Sequence, residues 1–249
     1  MKQSKTELLP LIFLGLSVAG ALARWLLYLT AVDEKGLLIR GHFWQWLLWI
    51  LCAAAVVAVL PLLKQKGSNL YAHNFGPSNS AALGSCAMAA AVLLTVLEGN
   101  TMPRSMLVLV WYGSGILSVT ALIHCALSLK NGTPPFVVNY GVLCLFLAMH
   151  MVSCYQPWSG IPQAQNWIFS LLGAIGLTLC SYQRSAFSAG SGHRQAYLIT
   201  HLLTLFCCSA AMPHTDYFWL YLGGFFWSST GLCRIIPEND PESVEDTVE

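Results

Sequence analysis

Few residues of this 249-residue chain could do chemistry, and most of those lie inside long apolar stretches. Arg24, Glu98, His150 and Asp216 are the ionisable groups whose positions suggest one site. A guanidinium presents a planar fork matched to a carboxylate or phosphate, and the acids and imidazole beside it would add counter-charge and a proton acceptor. Ionisable groups at membrane depth face a bundle interior or a wet cavity, so these four are the candidate ligand-binding residues. Asn139, His124 and His201 are the candidate pathway-lining residues. Asn139 and His150 lie about three helical turns apart and share a face with Phe146. Tyr197, His201, Thr204 and Cys208 form a second polar stripe, and Thr120, His124 and Ser128 a third. Hydrogen bonding between helices is the more frequent use of such stripes. For Arg24 the plain alternatives are snorkelling to headgroups or pairing with Glu98.

Other chemistries find less support. His124 and His201 fall at similar depth, which raises a haem held by two imidazoles, though equal depth does not make two rings face each other. A histidine general base at His150 or His201 would need a partner within hydrogen-bond reach, and no HExxH, GxSxG or paired-acid motif stands in the chain. The nine cysteines form neither a CxxC pair nor a Cys/His zinc spacing. No metal and no cofactor are therefore expected, nor any nucleic-acid partner, and an enzyme is the weaker reading. The aromatic run Tyr217 to Trp227 with its Gly223-Gly224 pair suits either a planar ligand or, preferably, helix packing.

The elements that must position these groups are eight apolar stretches, near 8–31, 43–63, 80–98, 104–129, 135–155, 166–184, 194–212 and 216–235. Each is close to the roughly 20 residues a helix needs to cross a bilayer core, and only helices or closed barrels satisfy their backbone there. Apolar residues make up 56% of the chain and charged ones 9%, which excludes an ordinary soluble domain. The expected fold is an all-α integral membrane bundle of eight transmembrane helices. Its first stretch is too long for a signal-peptide core and is expected to be retained. Lys2, Lys5, Lys64, Lys66, Lys130, Arg184, Arg194 and Arg234 fall on one side, against Lys35, Arg40 and Arg104 on the other. The positive-inside rule then places both termini in the cytoplasm, with Trp25, Trp44, Trp46, Trp158 and Trp167 near the opposite face. Residues 238–249 form an acidic tail with little to bury, expected to be disordered.

Met102-Pro103 with Gly113 and Met212-Pro213 with Gly223 keep the same offset, which suggests a 4+4 parallel internal repeat. Small-residue stripes at Gly15/Ala19/Ala23, Ala82/Cys86/Ala90 and Ser170/Ala174/Thr178 mark expected close helix contacts. The functional reading leans to a small-molecule permease or substrate-binding protein of the cytoplasmic membrane. The alternatives are a membrane-embedded enzyme acting on a lipid-like substrate, or a non-catalytic sensor or assembly partner whose acidic tail docks a cytoplasmic protein. The expected partners are the lipid bilayer, a small-molecule ligand and that cytoplasmic protein.

Overall fold

The computed structural model describes residues 3–33, 38–39, 41–64, 69–99, 106–158 and 167–236. Each of the eight apolar stretches is helical there: α1 (Gln3–Thr30), α2 (Phe43–Val59), α4 (Asn79–Glu98), α5 (Met106–Lys130), α6 (Val137–Trp158), α7 (Ile168–Ser188), α8 (Arg194–Ala211) and α9 (Phe218–Leu232). A single-turn α3 (Tyr71–Asn74) precedes α4. Local signals set the ends. Ser78 caps α4 by accepting from the Ala81 N–H at 3.2 Å. Gly99 closes the same helix with φ +52°, a left-handed conformation that glycine adopts without strain. Among the described residues the only β pairings are the isolated bridges Val32 with Leu38 and Phe75 with Ile235.

Five helical stretches, Leu9–Thr30, Phe43–Leu63, Asn79–Glu98, Val108–Lys130 and Val137–Tyr155, are long and apolar enough to cross a membrane. Helix α9 is shorter at 15 residues. Helices α7 and α8 bury polar faces, Ser170, Ser181 and Arg184 on one and His201, Thr204 and Ser209 on the other. The outside of the bundle is strongly apolar: Leu83, Leu97, Leu109, Phe136 and Val138 are each about 70% exposed. Serines and threonines such as Ser17, Ser85, Thr95, Ser118 and Ser228 lie inside instead. An apolar exterior over a more polar interior is compatible with a multi-pass membrane protein, since lipid solvates leucine as well as a protein core does.

Side-chain contacts fix the register. Helices α5 and α6 run antiparallel, His124 meeting Asn139 at one end and Trp111 meeting His150 at the other. Ser181 and Ser185 of α7 donate to the Tyr140 and Val137 carbonyls of α6 at 2.7 and 3.1 Å. Tyr197 of α8 donates to the Gly231 carbonyl of α9 at 3.2 Å. Helix α9 returns against α4, where Gly84 lies on Thr230 and Gly223 on Ala91 with no room for a methyl group at either glycine. Helices α4 to α9 thus form a closed ring of neighbours, and the α1–α2 hairpin attaches to it through α8.

Two sequence expectations meet a different packing. Within α4 the buried face is Ala81, Gly84, Ser85, Met88 and Val92, so Cys86 and Ala90 of the expected stripe point outward. Helix α1 likewise packs through Phe13, Ser17, Gly20 and Ala23, leaving Gly15 exposed. The Ser170/Ala174/Thr178 stripe faces inward. For the 4+4 repeat, the second set of four helices runs as sequential neighbours, whereas α2 and α4 are not principal neighbours among the described residues. Met102-Pro103 and the tail 238–249 lie outside the described residues.

Candidate functional site

Of the sequence-predicted ligand residues, His150 and Asp216 share one neighbourhood through Cys154 and Tyr217, and Arg24 has different ring neighbours. Arg24 is fully buried on α1, its guanidinium carbon 5.1 Å from the Phe169 ring centroid and 5.7 Å from that of Tyr28. It borders a small recess with Leu27, Gln45, Leu48, Trp49 and Ile168, of about 10 Å³, enough for roughly one water molecule. His150 is also fully buried, but in a separate aromatic box between α5, α6 and α9. Its ring lies 6.3 Å from Trp111, 6.1 Å from Phe146 and edge-on to Tyr217 at 4.5 Å. Glu98 and Asp216 are exposed at the end of α4 and just before α9. Helix α1 makes its main contacts with α2 and α8, and α4 with α5 and α9, so packing does not bring Arg24 to Glu98.

The pathway residues separate as well. His124 is exposed on α5, where Asn139 donates to its Nδ1 at 3.1 Å and Phe136 stacks at 5.4 Å. Thr120 shares that outward face, so this stripe does not line an interior path. Tyr197, His201, Thr204 and Cys208 are all buried, as one face of α8 turned inward. Both ring nitrogens of His201 are engaged by protein, which leaves no lone pair for an axial haem bond.

What engages His201 is a residue that sequence reasoning treated only as a topology marker. Arg184 of α7 is 4% exposed. Its Nε donates to His201 Nε2 at 3.1 Å, and its Nη2 donates to the Trp227 carbonyl of α9 at 2.8 Å. The guanidinium lies over the Trp227 ring, 3.9 Å from the centroid. The His201 Nδ1 lies 2.9 Å from the Tyr197 carbonyl oxygen, which can only accept, so Nδ1 carries the proton and Nε2 accepts from Arg184. The His201 ring is stacked on Tyr197 at 3.8 Å. Gly231 makes room for the arginine, because a side chain there would collide with Nη2.

Among the described residues this cation has no carboxylate partner; Asp33, Glu98 and Asp216 are all exposed. Around it the Tyr140 hydroxyl interacts with Arg184 and the Ser228 hydroxyl with Cys180, while the Trp227 indole N–H is buried with no hydrogen-bond partner among the described residues. Tyr140 packs 6.4 Å from Trp227, and Ser228 follows it on α9. A buried cation met only by neutral groups keeps a free-energy penalty of about 1–3 kcal/mol or more, and the guest that relieves it is an anion.

An aromatic lid closes this cluster at the bundle end. Phe75 sits between Phe187 at 4.9 Å and Tyr197 at 5.0 Å, with the Arg234 guanidinium over it at 4.5 Å. Arg234 also donates to the Tyr71 hydroxyl. Burial raises the Tyr71 hydroxyl above the ordinary phenol range, and the Arg234 charge works against that shift. Arg194 ties the lid to the end of α9, donating to Asn74 Oδ1 at 3.2 Å and to the Ile236 carbonyl at 2.8 Å.

The sequence held one signal for Arg184. It falls three and four residues after Ser181 and Cys180, on the same buried face of a helix that continues to Ser188. No protein-family model, no curated protein and no solved structure matches the chain.

Proposed function

We propose that this chain is an eight-span protein of the cytoplasmic membrane, with both termini in the cytoplasm, that binds small anions as a permease or substrate-binding component. One observation carries the reading: Arg184, buried in the bundle, is held only by neutral groups among the described residues. Ionisable groups kept inside a membrane bundle mark binding sites and pathways, and a guanidinium fork is suited to planar oxyanions. Arg184 is the binding residue; Tyr140, Ser228 and Trp227 supply further donors. The site is closed in this structure, and the lid formed by Phe75, Phe187 and Tyr197 must part to admit a guest.

The test is equilibrium binding of benzenesulfonate and of nitrate, two permanently charged planar anions, to detergent-purified protein, followed by uptake into proteoliposomes. Saturable binding by the wild type, lost in Arg184→Gln while that variant stays monodisperse and helical, supports the reading. Unchanged binding in Arg184→Gln ends it.

A further inference from the structure

We infer that the Arg184 site takes up a proton together with each anion, and that the proton goes to His201 Nε2. This rests on the anion reading above and adds its coupling. In the closed structure the Arg184 Nε–H points at His201 Nε2, and Nδ1 already holds a proton against the Tyr197 carbonyl. Nε2 has one lone pair, so it cannot be protonated while it accepts from Arg184. An anion that draws the guanidinium away releases that lone pair. It also supplies the negative charge that lets an imidazolium form beside an arginine.

The groups around His201 leave no competing acceptor. Helix α7 contributes Arg184 and Cys180, α6 contributes Tyr140, and Tyr197 lies on α8 itself. Helix α9 brings the neutral Trp227 and, at its end, Arg234, while the Arg24 guanidinium of α1 lies against Tyr28 and Phe169. Asp33, Glu98 and Asp216 are exposed elsewhere. The step balances: one anion and one solvent proton enter, the Arg184–His201 hydrogen bond breaks, one N–H bond forms at Nε2, and the site's net charge is unchanged. The two ligands therefore favour each other's binding reciprocally. A membrane protein built this way moves an anion without moving net charge.

The experiment measures benzenesulfonate and nitrate binding to the full chain in detergent from about pH 7.5 down to about pH 5.5, a range in which neither probe changes charge but a histidine does. Affinity is expected to rise about tenfold for each pH unit, with about one proton taken from a weakly buffered solution per anion bound. Nitrogen NMR of histidine-labelled protein should show the Nδ1–H tautomer of His201 in the free protein and a doubly protonated ring in the complex. His201→Gln should bind with no pH dependence. If that variant does not fold, proton uptake and the NMR signal of the wild type still decide. Binding that is independent of pH, with no proton uptake and an unchanged His201 tautomer, overturns the coupling and leaves the anion site standing. Failure of the wild type to bind either probe removes the anion site and the coupling with it.

Discussion

Among the described residues two histidines are fully buried, near opposite ends of the bundle, and they are held in opposite ways. His201 is fixed by direction: each ring nitrogen has one strong partner, and the tautomer follows from them. His150 is fixed by shape, its ring caught between aromatic faces, with the Cys154 sulfur 3.5 and 3.9 Å from its nitrogens. Directional bonds specify a protonation state, while ring packing specifies only a volume. A histidine of the first kind can register a change in its partner's position; one of the second kind is close to an aromatic filler.

The contrast can be broken in four ways, read as unfolding free energies in mixed micelles. Gly223→Leu should have the largest effect, more than about 3 kcal/mol, because it drives a side chain into Ala91 and forces α9 off α4 at both ends of the comparison. If it is tolerated, the ring of helices is looser than described and neither histidine is held as stated. His201→Phe should destabilise by about 2 kcal/mol, since the Arg184 Nε–H and the Tyr197 carbonyl both lose a partner. His150→Phe should change stability by less than about 1 kcal/mol, a near-isosteric exchange inside an aromatic box. Equal losses in these two variants would erase the distinction. Ser209→Ala, which removes a 2.9 Å bond from α8 to the Ser17 carbonyl of α1, should cost about 0.6 kcal/mol and leave both histidines untouched.

The helices were legible because about 20 apolar residues between turn-forming residues admit few other structures. The expected stretches 80–98 and 194–212 became Asn79–Glu98 and Arg194–Ala211. The faces were harder. In an alanine-rich segment such as α4, several stripes of small residues are equally spaced, and only the neighbouring helix selects the one with Gly84 and Ser85 over the one with Cys86 and Ala90. Arg184 escapes the sequence because the expected stretch ends on it, where an arginine reads as an interfacial charge. What buries it is one further helical turn and Trp227, 43 residues away, brought over by a glycine at 231. That partnership is tertiary and has no local signature. The same holds for Arg24 and His150: each was recognised as buried chemistry, but their helices meet different neighbours.

The bridge between Phe75 and Ile235, with the Ile236 amide donating to the Asn74 carbonyl at 3.0 Å, bolts the exit of α9 to the entrance of α4. Tight glycine contacts join the same two helices along their length. Helices α4 and α9 therefore move as a single strut. Any rocking of this molecule must be taken up elsewhere, between that strut and α7–α8, where the aromatic lid meets it, or at the α1–α2 hairpin, which joins the ring mainly through α8.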